Sequence, residues 1–194
     1  MNSVMPPVKP VPVNGQKLCE YANVPFGWWN MGYNGCVVLA LYNALILSGY
    51  DADVYRIRDF LHRRWKPRIF GVRAWEAGRY LRKGKISYKT VRSTSELLSA
   101  MRPGSVAVVL FWNRTVPFCD FSMGGELLSV RRFPDPFGGA HGMAVALRED
   151  GTWQVFNRYS NRTTAYEYKK FEDFCPFPSL FMKGFILTQK TTES

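Results

Sequence analysis

The run Cys36–Leu47 constrains the fold more than any other part of this 194-residue chain. Its side chains are apolar in nearly every direction around a helix, and Asn43 alone interrupts them. A helix that is apolar all round has to be covered on every side, so the segment predicts a buried central helix. We expect Asn34 or Gly35 to cap its start, and Gly49 to follow it as the residue that ends the helix.

The composition indicates one folded domain. Hydrophobic residues make up 46% of the chain and charged residues 21%, which excludes a disordered or collagen-like protein. The length fits a single domain at residues 16–194, behind an extended, proline-rich arm at residues 1–15. No apolar run reaches the roughly 18 residues that span a membrane, and the N-terminus lacks the features of a signal peptide. We therefore expect a cytoplasmic protein without a membrane span.

Cysteine and histidine usage argues against a metal or cofactor. The chain has two histidines, His62 and His141, and four cysteines that are too scattered for a disulfide framework. Metal sites usually show paired ligand spacing, which is missing here. Phosphate-binding and dinucleotide-binding glycine motifs are missing too. We expect no metal and no organic cofactor. The cysteines are Cys19, Cys36, Cys119 and Cys175.

Helical patterns fill the first half of the chain and strand patterns the second. Further helices are predicted at residues 53–65 and 72–82, the latter with Trp75, Tyr80 and Leu81 facing inward. A capping-box signal at Ser93–Glu96 predicts a short helix that ends before residue 103. We predict strands and a long loop in the remainder, which makes the fold class α+β. The strands are expected at 106–111, 141–147, 152–156, 163–169 and 184–189, and the loop at 113–139.

The formal net charge of +11 reflects basic residues clustered between Arg56 and Arg82. A basic patch with aromatic neighbours can follow a phosphate backbone. However, the apolar residues of the segment 53–65 share one helical face, which leaves its arginines mainly on the other. We interpret the cluster as a solvated face and expect no nucleic-acid partner. The charge favours an acidic substrate or partner.

Three residues point to one chemistry. Cys36 begins the buried helix, where main-chain N–H groups and the helix dipole favour a thiolate nucleophile. A thiol nucleophile needs a base, and His141 is the natural candidate, since His62 lies in an arginine-rich helix. Asn157 ends the strand opposite the start of the His141 strand. Its side-chain amide is expected to accept from one imidazole nitrogen and orient the ring.

The sequence resembles the papain-like cysteine peptidases, especially bacterial members that process bacteriocin leaders. The resemblance rests on Asn34-Gly35-Cys36 before the apolar helix, and on the strands that carry His141 and Asn157. It implies a helical half with a central nucleophile helix packed on an antiparallel β half, and a Cys-His-Asn triad. The family usually has a glutamine oxyanion donor before the nucleophile.

At the position of that glutamine, six residues before Cys36, this chain has the shorter Asn30, and Asn34 is a competing donor. The resemblance also places Tyr159 where an aromatic side chain shields the imidazole. Four residues are candidate substrate contacts: Trp28, Trp29, Gly139 and Tyr159. The aromatic residues near the nucleophile equally well pack the seam between the halves. Gly139 closes the loop that is expected to wall the cleft.

These residues predict a thiol hydrolase that cleaves peptide or related amide bonds through a thioester acyl-enzyme. An acyltransferase or amidase with the same triad is one alternative, because a thioester reacts with amines as well as with water. The other is a non-catalytic binding module that uses the basic Arg56–Arg82 surface.

Overall fold

The first half of the chain is helical, as its sequence predicts. The structure, a computed structural model, describes residues 10–64, 72, 74–112, 115–121, 127–134, 140–175 and 181–190, the strands between 115 and 134 by their backbones. A hairpin of β1 (Pro25–Phe26) and β2 (Trp29–Asn30) comes first. The helices are α1 (Met31–Asn34), α2 (Cys36–Leu47), α3 (Val54–His62), α4 (Ala74–Lys83) and α5 (Thr94–Ala100).

Helix α2 is the buried central helix that its apolar sequence predicts. Every side chain from Val37 to Leu45 is buried. Gly35 is the N-cap residue, and Gly49 follows the helix with a φ of +80°, in the left-handed region that favours glycine. The helix packs against α1, α3 and two central strands of the sheet. This burial fixes the position of its first residue, Cys36.

Helix α3 begins where the sequence predicts and ends earlier. Asp53 caps it, and its carboxylate accepts from two first-turn amides. The helix ends at His62 and not at Trp65, because the Arg64 amide turns back to the Leu61 carbonyl in a tightened last turn. Trp65 lies outside the described residues.

One of the three α4 residues predicted to face inward faces outward instead. Leu81 is buried and Tyr80 is half-buried, as expected, but Trp75 is 45% exposed. Small residues face the sheet in its place. A Cβ atom on Gly78 would come within 2.7 Å of the Phe185 ring, so the helix lies too close to the sheet for a large side chain.

An antiparallel sheet forms the second half. Among the described residues it has six strands, in the spatial order β3 (Tyr88–Val91), β10 (Phe181–Leu187), β4 (Val106–Trp112), β7 (Ala140–Leu147), β8 (Trp153–Phe156) and β9 (Tyr166–Tyr168). Two more strands, β5 (Thr115–Phe121) and β6 (Leu127–Pro134), pair with each other in a separate sheet. Strand β3 is not predicted by the sequence, and the other five strands of the main sheet overlap their predicted ranges.

The loop predicted at 113–139 is therefore wrong where β5 and β6 lie. Its prolines, Pro117 and Pro134, led to that prediction, yet both are strand residues and Pro117 is in register with Arg132. A two-stranded sheet consists only of edge strands, and an edge strand tolerates a residue without an N–H group. Proline there marks an edge and not a loop.

The main sheet separates two cores. On one face, Val108 of β4 and Ala144 of β7 pack in the core that surrounds α2. On the other face, Val109 and Val145 pack with Phe171, which belongs to a short 3₁₀ turn at Phe171–Asp173. Because strand side chains alternate between faces, this arrangement fixes the face that each β7 residue occupies.

The hairpin of β7 and β8 is confirmed, and it leaves one end of β7 open. Gly151 closes the turn with a φ of +80° and donates its amide hydrogen to the Arg148 carbonyl at 3.0 Å. Strand β8 ends at Phe156, opposite Ala144. The β7 residues before Ala144 therefore have no pairing partner in β8. The candidate site lies at this open end of β7.

Candidate active site

Cys36 lies where the start of α2 meets the open end of β7. Its Sγ atom is 4.0 Å from the carbonyl oxygen of Ala140, and the main-chain N–H group of Gly142 is among the groups that favour its thiolate. A Cβ atom on Gly142 would lie only 3.3 Å from the Cα atom of Val37. The start of the helix and the strand are thus in backbone contact, and the thiol lies beside the strand on both sides of His141.

Burial raises the pKa of the Cys36 thiol. The main-chain N–H groups of Gly142, Val37 and Cys36 itself act in the opposite direction, as a helix N-terminus is expected to. Desolvation is the larger effect, since a buried thiolate loses its hydration. The prediction that this position favours a thiolate is therefore wrong for the resting arrangement, in which the thiol is neutral.

His141 is held by a main-chain carbonyl. Its Nε2 atom lies 2.7 Å from the carbonyl oxygen of Asn157. A carbonyl oxygen only accepts, so Nε2 carries a hydrogen and donates it, and in the neutral ring the lone pair is on Nδ1. The Phe111 ring meets the imidazole edge-on, with ring centroids 5.6 Å apart. Nδ1 is the nitrogen that can act as a base.

Burial lowers the pKa of His141. The positive charge of Arg158 lowers it as well, while the bond to the Asn157 carbonyl raises it. Because burial is the largest of these effects, the imidazole is neutral near pH 7. The thiol and the imidazole therefore rest as an uncharged pair and not as a thiolate–imidazolium ion pair.

The role expected of the Asn157 side chain is wrong. The side-chain amide does not contact His141, since it is bonded to Gln16: Oδ1 accepts from the Gln16 amide at 3.2 Å, and Nδ2 donates to Gln16 Oε1 at 3.3 Å. The main-chain carbonyl of the same residue holds the imidazole instead. Asn157 has a φ of +58°, which turns this carbonyl out of the β8 ladder. Position 157 is thus next to the base, but through a different atom.

The structure brings Cys36 and His141 to one end of β7 without joining their side chains. Among the described residues, no hydrogen bond links the thiol and the imidazole. His141 shares its face of β7 with Met143 and Val145, whose side chains lie in the core opposite α2. The Cys36 thiol lies against the main chain of β7, at the Ala140 carbonyl. Proton transfer between them requires a side-chain rearrangement.

The predicted oxyanion donors lie at the two ends of α1. Asn30 is its N-cap, and its Oδ1 accepts from the Tyr33 amide at 3.2 Å. Asn34 donates from Nδ2 to the Phe26 carbonyl at 3.1 Å. In the described part of the chain, the side-chain Nδ2 of Asn30 donates no hydrogen bond, whereas that of Asn34 does. Asn30 is therefore the donor that remains available to an oxyanion.

The predicted substrate contacts are exposed where the structure describes them. Trp28 is 62% exposed and Trp29 is 67% exposed, so neither packs the seam between the halves. The Trp29 ring lies against Tyr33, with ring centroids 6.2 Å apart. Tyr159 is 41% exposed and meets the ring of Tyr166 edge-on. Gly139 lies outside the described residues.

Sequence reasoning missed two residues of the site, Asn14 and Gln16. The Asn157 amide donates to Asn14 Oδ1 at 2.7 Å, and Gln16 is buried against the Asn157 side chain. Both residues fall in or next to the segment predicted to be an extended arm. Proline content marks that segment as extended and says nothing about what its amides contact, so no local signal could have found them.

A cationic cavity of about 720 Å³ lies between α3 and α4. It has one carboxylate, Asp59, which pairs with Arg58 at 3.0 Å. Arg64 and Lys83 both lie over the Phe60 ring, with Arg64 Cζ at 3.8 Å and Lys83 Nζ at 5.6 Å from its centroid. The basic surface thus includes a concave site. Its cations are Arg56, Arg63, Arg64 and Lys83.

Among the described residues, no three histidine, cysteine, aspartate or glutamate side chains lie together as metal ligands. No helix in that part of the chain has the length and apolar character needed to cross a bilayer. The absence of a cofactor stays a prediction.

Comparison with known proteins shows the fold. No protein-family model matches the chain, and no curated protein sequence matches it either. The crystal structure of a candidate C39-like peptidase from Bacillus anthracis is similar to it, with a TM-score of 0.50 and 12% sequence identity, over 88% of this chain and 97% of that one. At this identity the likeness concerns the fold alone. The protein has an α+β, papain-like peptidase fold.

Proposed function

We propose that the protein is a cysteine peptidase-like hydrolase in which Cys36 is the nucleophile and His141 the base. One observation carries the proposal. His141 donates its Nε2 hydrogen to the Asn157 carbonyl at 2.7 Å, which leaves the lone pair on Nδ1, at the end of the strand that touches the Cys36 thiol. A thiol and a neutral imidazole with a fixed tautomer are the two groups that nucleophilic catalysis needs, and a side-chain rearrangement has to bring them within hydrogen-bond reach.

The proposed reaction begins from the neutral pair. Once a side-chain rearrangement has brought Nδ1 of His141 to the Cys36 thiol, Sγ attacks the carbonyl carbon of an amide bond and its proton passes to Nδ1. The imidazolium is stabilised by the Asn157 carbonyl and then returns the proton to the leaving amine. The resulting thioester is hydrolysed by water, which His141 deprotonates in the same way. The free thiol is restored at the end of the cycle.

The developing oxyanion needs donors, and two are proposed. The Cys36 main-chain N–H group belongs to the first turn of α2, where it has no intrahelical acceptor. The Asn30 amide nitrogen is the second. An oxyanion donor typically contributes about 3 kcal/mol to the barrier, so the loss of Asn30 should slow acylation strongly.

We propose a peptide as the substrate, bound across the exposed aromatic side chains of Trp28, Trp29 and Tyr159. Exposed tryptophans provide a large apolar contact area at low conformational cost. The net charge of +11 favours an acidic peptide. The resemblance to leader-processing peptidases narrows the proposal further, to a leader segment removed from a precursor.

The direct test is a proteome-derived peptide library, incubated with the protein and searched for new termini by mass spectrometry. We expect a defined set of cleavages that Cys36→Ala abolishes. The control variant is His62→Ala, which removes the other histidine and should leave the cleavages unchanged. Equal cleavage by Cys36→Ala would contradict the proposal.

The same site supports an acyltransferase or an amidase. A thioester reacts with either water or an amine. The acceptor that reaches it therefore decides between hydrolysis and acyl transfer. Peptides cleaved in the library experiment can be incubated with increasing glycine amide. Formation of amide product in preference to acid would identify an acyltransferase.

The cationic cavity between α3 and α4 favours a second candidate, a polyanion-binding module. Arg56 and Arg64 each lie 3.7 Å from a carboxylate, that of Asp53 and that of Glu76, and Arg63 and Lys83 add further positive charge to the cavity. This charge predicts polyanion binding that weakens with salt. Poly-glutamate and heparin, titrated at about 50 and 200 mM salt, should bind the protein tightly and lose affinity in Arg63→Ala. Absent or salt-insensitive binding removes this candidate.

A further inference from the structure

The segment 13–17, here called the strap and buried at Gly15 and Gln16, joins three parts of the fold around the candidate site. It contacts the middle of α2, helix α1 and the turn after β8. Within it, Gly15 has a φ of +69°, and a Cβ atom there would lie 2.8 Å from the Arg162 carbonyl oxygen. The Lys17 amide donates to the Ser160 carbonyl at 2.7 Å. The strap therefore lies directly on the backbone that follows Asn157.

The strap is anchored to α2 by paired amide bonds. The Val13 amide donates to Asn43 Oδ1, and Asn43 Nδ2 donates back to the Val13 carbonyl, each at 2.7 Å. Asn43 is fully buried and is the polar residue that interrupts the apolar run of α2. Its side chain thus satisfies both main-chain groups of one strap residue. The nucleophile helix and the strap are held as one unit.

Gln16 connects α1 to Asn157. It is 3% exposed, its Nε2 donates to the Gly32 carbonyl at 3.1 Å, and its Oε1 accepts from Asn157 Nδ2. Its main-chain amide donates to Asn157 Oδ1. Both polar ends of the Asn157 side chain are therefore bonded to one residue of the strap.

Asn14 supplies the remaining contact to Asn157. The Asn157 amide donates to Asn14 Oδ1 at 2.7 Å, while its carbonyl accepts from His141. With Gln16 on the side chain, every type of polar group on Asn157 is bonded. Asn157 is 0% exposed and has a φ of +58°, in the left-handed region that asparagine adopts more readily than most other non-glycine residues. The bonds from Asn14 and Gln16 add to this preference and fix the orientation of its peptide groups.

We propose that Asn14 and Gln16 are positioning residues for His141, acting by holding Asn157 so that its main-chain carbonyl faces Nε2. This inference rests on the proposed function, in which His141 is the base. If Asn157 relaxes to the right-handed region, its carbonyl leaves Nε2, and the imidazole is free to rotate and to change tautomer. The strap thereby fixes the Nδ1 lone pair.

The test follows the His141 ring N–H group by NMR. A ring hydrogen that is bonded to a buried carbonyl is protected from exchange with water, whereas the Nε2 hydrogen of exposed His62 is not. We expect one protected ring N–H signal in the wild type and its loss in both Asn14→Ala and Gln16→Ala. Asn14→Asp, which keeps an acceptor oxygen, should restore the signal. Gln189→Ala, which removes a glutamine amide bonded to the Gly104 carbonyl at 2.8 Å, is the matched control and should keep it.

A second readout separates positioning from structure alone. Acetylation of Cys36 by p-nitrophenyl acetate should slow about tenfold in Asn14→Ala and recover in Asn14→Asp, as a loss of about 1.4 kcal/mol of alignment predicts. An unchanged N–H signal in both alanine variants would overturn the proposal, as would a lost signal with an unchanged acetylation rate. Neither result depends on Cys36→Ala, which tests the proposed function separately. Because Asn14 is only half-buried, its variants keep the test available if Gln16→Ala does not fold.

Discussion

His141 and His62 both carry their ring hydrogen on Nε2, but a main-chain group binds the opposite nitrogen in each ring. At the end of α3, His62 is exposed, and its Nδ1 accepts from the Gly27 amide at 3.2 Å. An amide only donates, so the His62 lone pair is occupied. At the open end of β7, His141 instead donates its hydrogen to the Asn157 carbonyl.

This difference decides which imidazole can act as a base. His62 uses its lone pair to hold the β1–β2 hairpin, and its ring lies against Phe26 with ring centroids 6.0 Å apart. His141 keeps its lone pair on Nδ1, at the end of the strand that touches Cys36. In this fold, the chemical role of a histidine follows from which main-chain group it meets and not from its exposure.

The largest expected effect is the difference in activity between the His141→Ala and His62→Ala variants. His141→Ala should lower the cleavage rate of a peptide identified from the library by about 100-fold or more, because general-base catalysis is lost. His62→Ala should slow cleavage at most a few-fold, through the hairpin that carries Trp28 and Trp29, and should lower the free energy of unfolding measured in urea. Equal losses of activity in the two variants would show that the free lone pair has no special role.

The next effect concerns the group that holds His141. Asn157→Gly keeps the carbonyl and tolerates a φ of +58°, whereas Asn157→Ala keeps the carbonyl but disfavours that φ. We expect the alanine variant to be about tenfold slower than the glycine variant in the peptide assay, since a left-handed alanine costs about 1–2 kcal/mol. Equal rates for the two variants would contradict a role for the left-handed backbone at position 157.

Two glycines beside the histidines sharpen the comparison further. Gly142→Ala places a Cβ atom 3.3 Å from Val37 Cα and 3.0 Å from Leu110 Cδ2, and should cost about 1–3 kcal/mol by overpacking. Gly27→Ala, at a φ of +65°, should cost about 1–2 kcal/mol through backbone strain. Urea unfolding measures both, and only Gly142→Ala should also change the alkylation rate of Cys36. A Gly142→Ala variant with wild-type stability would contradict the backbone contact between α2 and β7.

The smallest effect is on pH dependence. Burial lowers the pKa of His141 below its usual 6.5, so the base form persists to lower pH and the acid limb of activity should fall below pH 6.5. Burial raises the pKa of the Cys36 thiol above its usual 9.0, so alkylation by iodoacetamide should rise only on the alkaline side. A plateau of fast alkylation at pH 5 would instead indicate a thiolate–imidazolium pair at rest.

Local sequence patterns predict the fold where local forces decide it. Helix α2 follows from its apolar run, and Ser93 caps α5 as its motif indicates, accepting from the Glu96 amide at 3.1 Å. The β7–β8 hairpin follows from its turn. The failures arise where the surroundings decide: Pro117 is tolerated in an edge strand, and Trp75 faces outward because α4 approaches the sheet through small residues.

The candidate site shows the same limit. Its residue positions could be predicted, because a helix-start cysteine and a strand-start histidine are local features. Which atoms of these residues contact each other could not be predicted. The bonds between Gln16 and Asn157 join residues 141 positions apart, and no periodicity predicts that they take the side-chain amide away from His141. Likewise, the pKa of Cys36 depends on burial by elements distant in sequence.

The central claim is that Cys36 attacks with His141 as its base, and acylation by p-nitrophenyl acetate tests it most directly. The protein would be acetylated at pH 7, quenched in acid and mapped by mass spectrometry. The account predicts an acetyl thioester on Cys36 that forms about 100-fold more slowly in His141→Ala and at the wild-type rate in His62→Ala. Acetylation that avoids Cys36, or that proceeds at the same rate in His141→Ala, would contradict it.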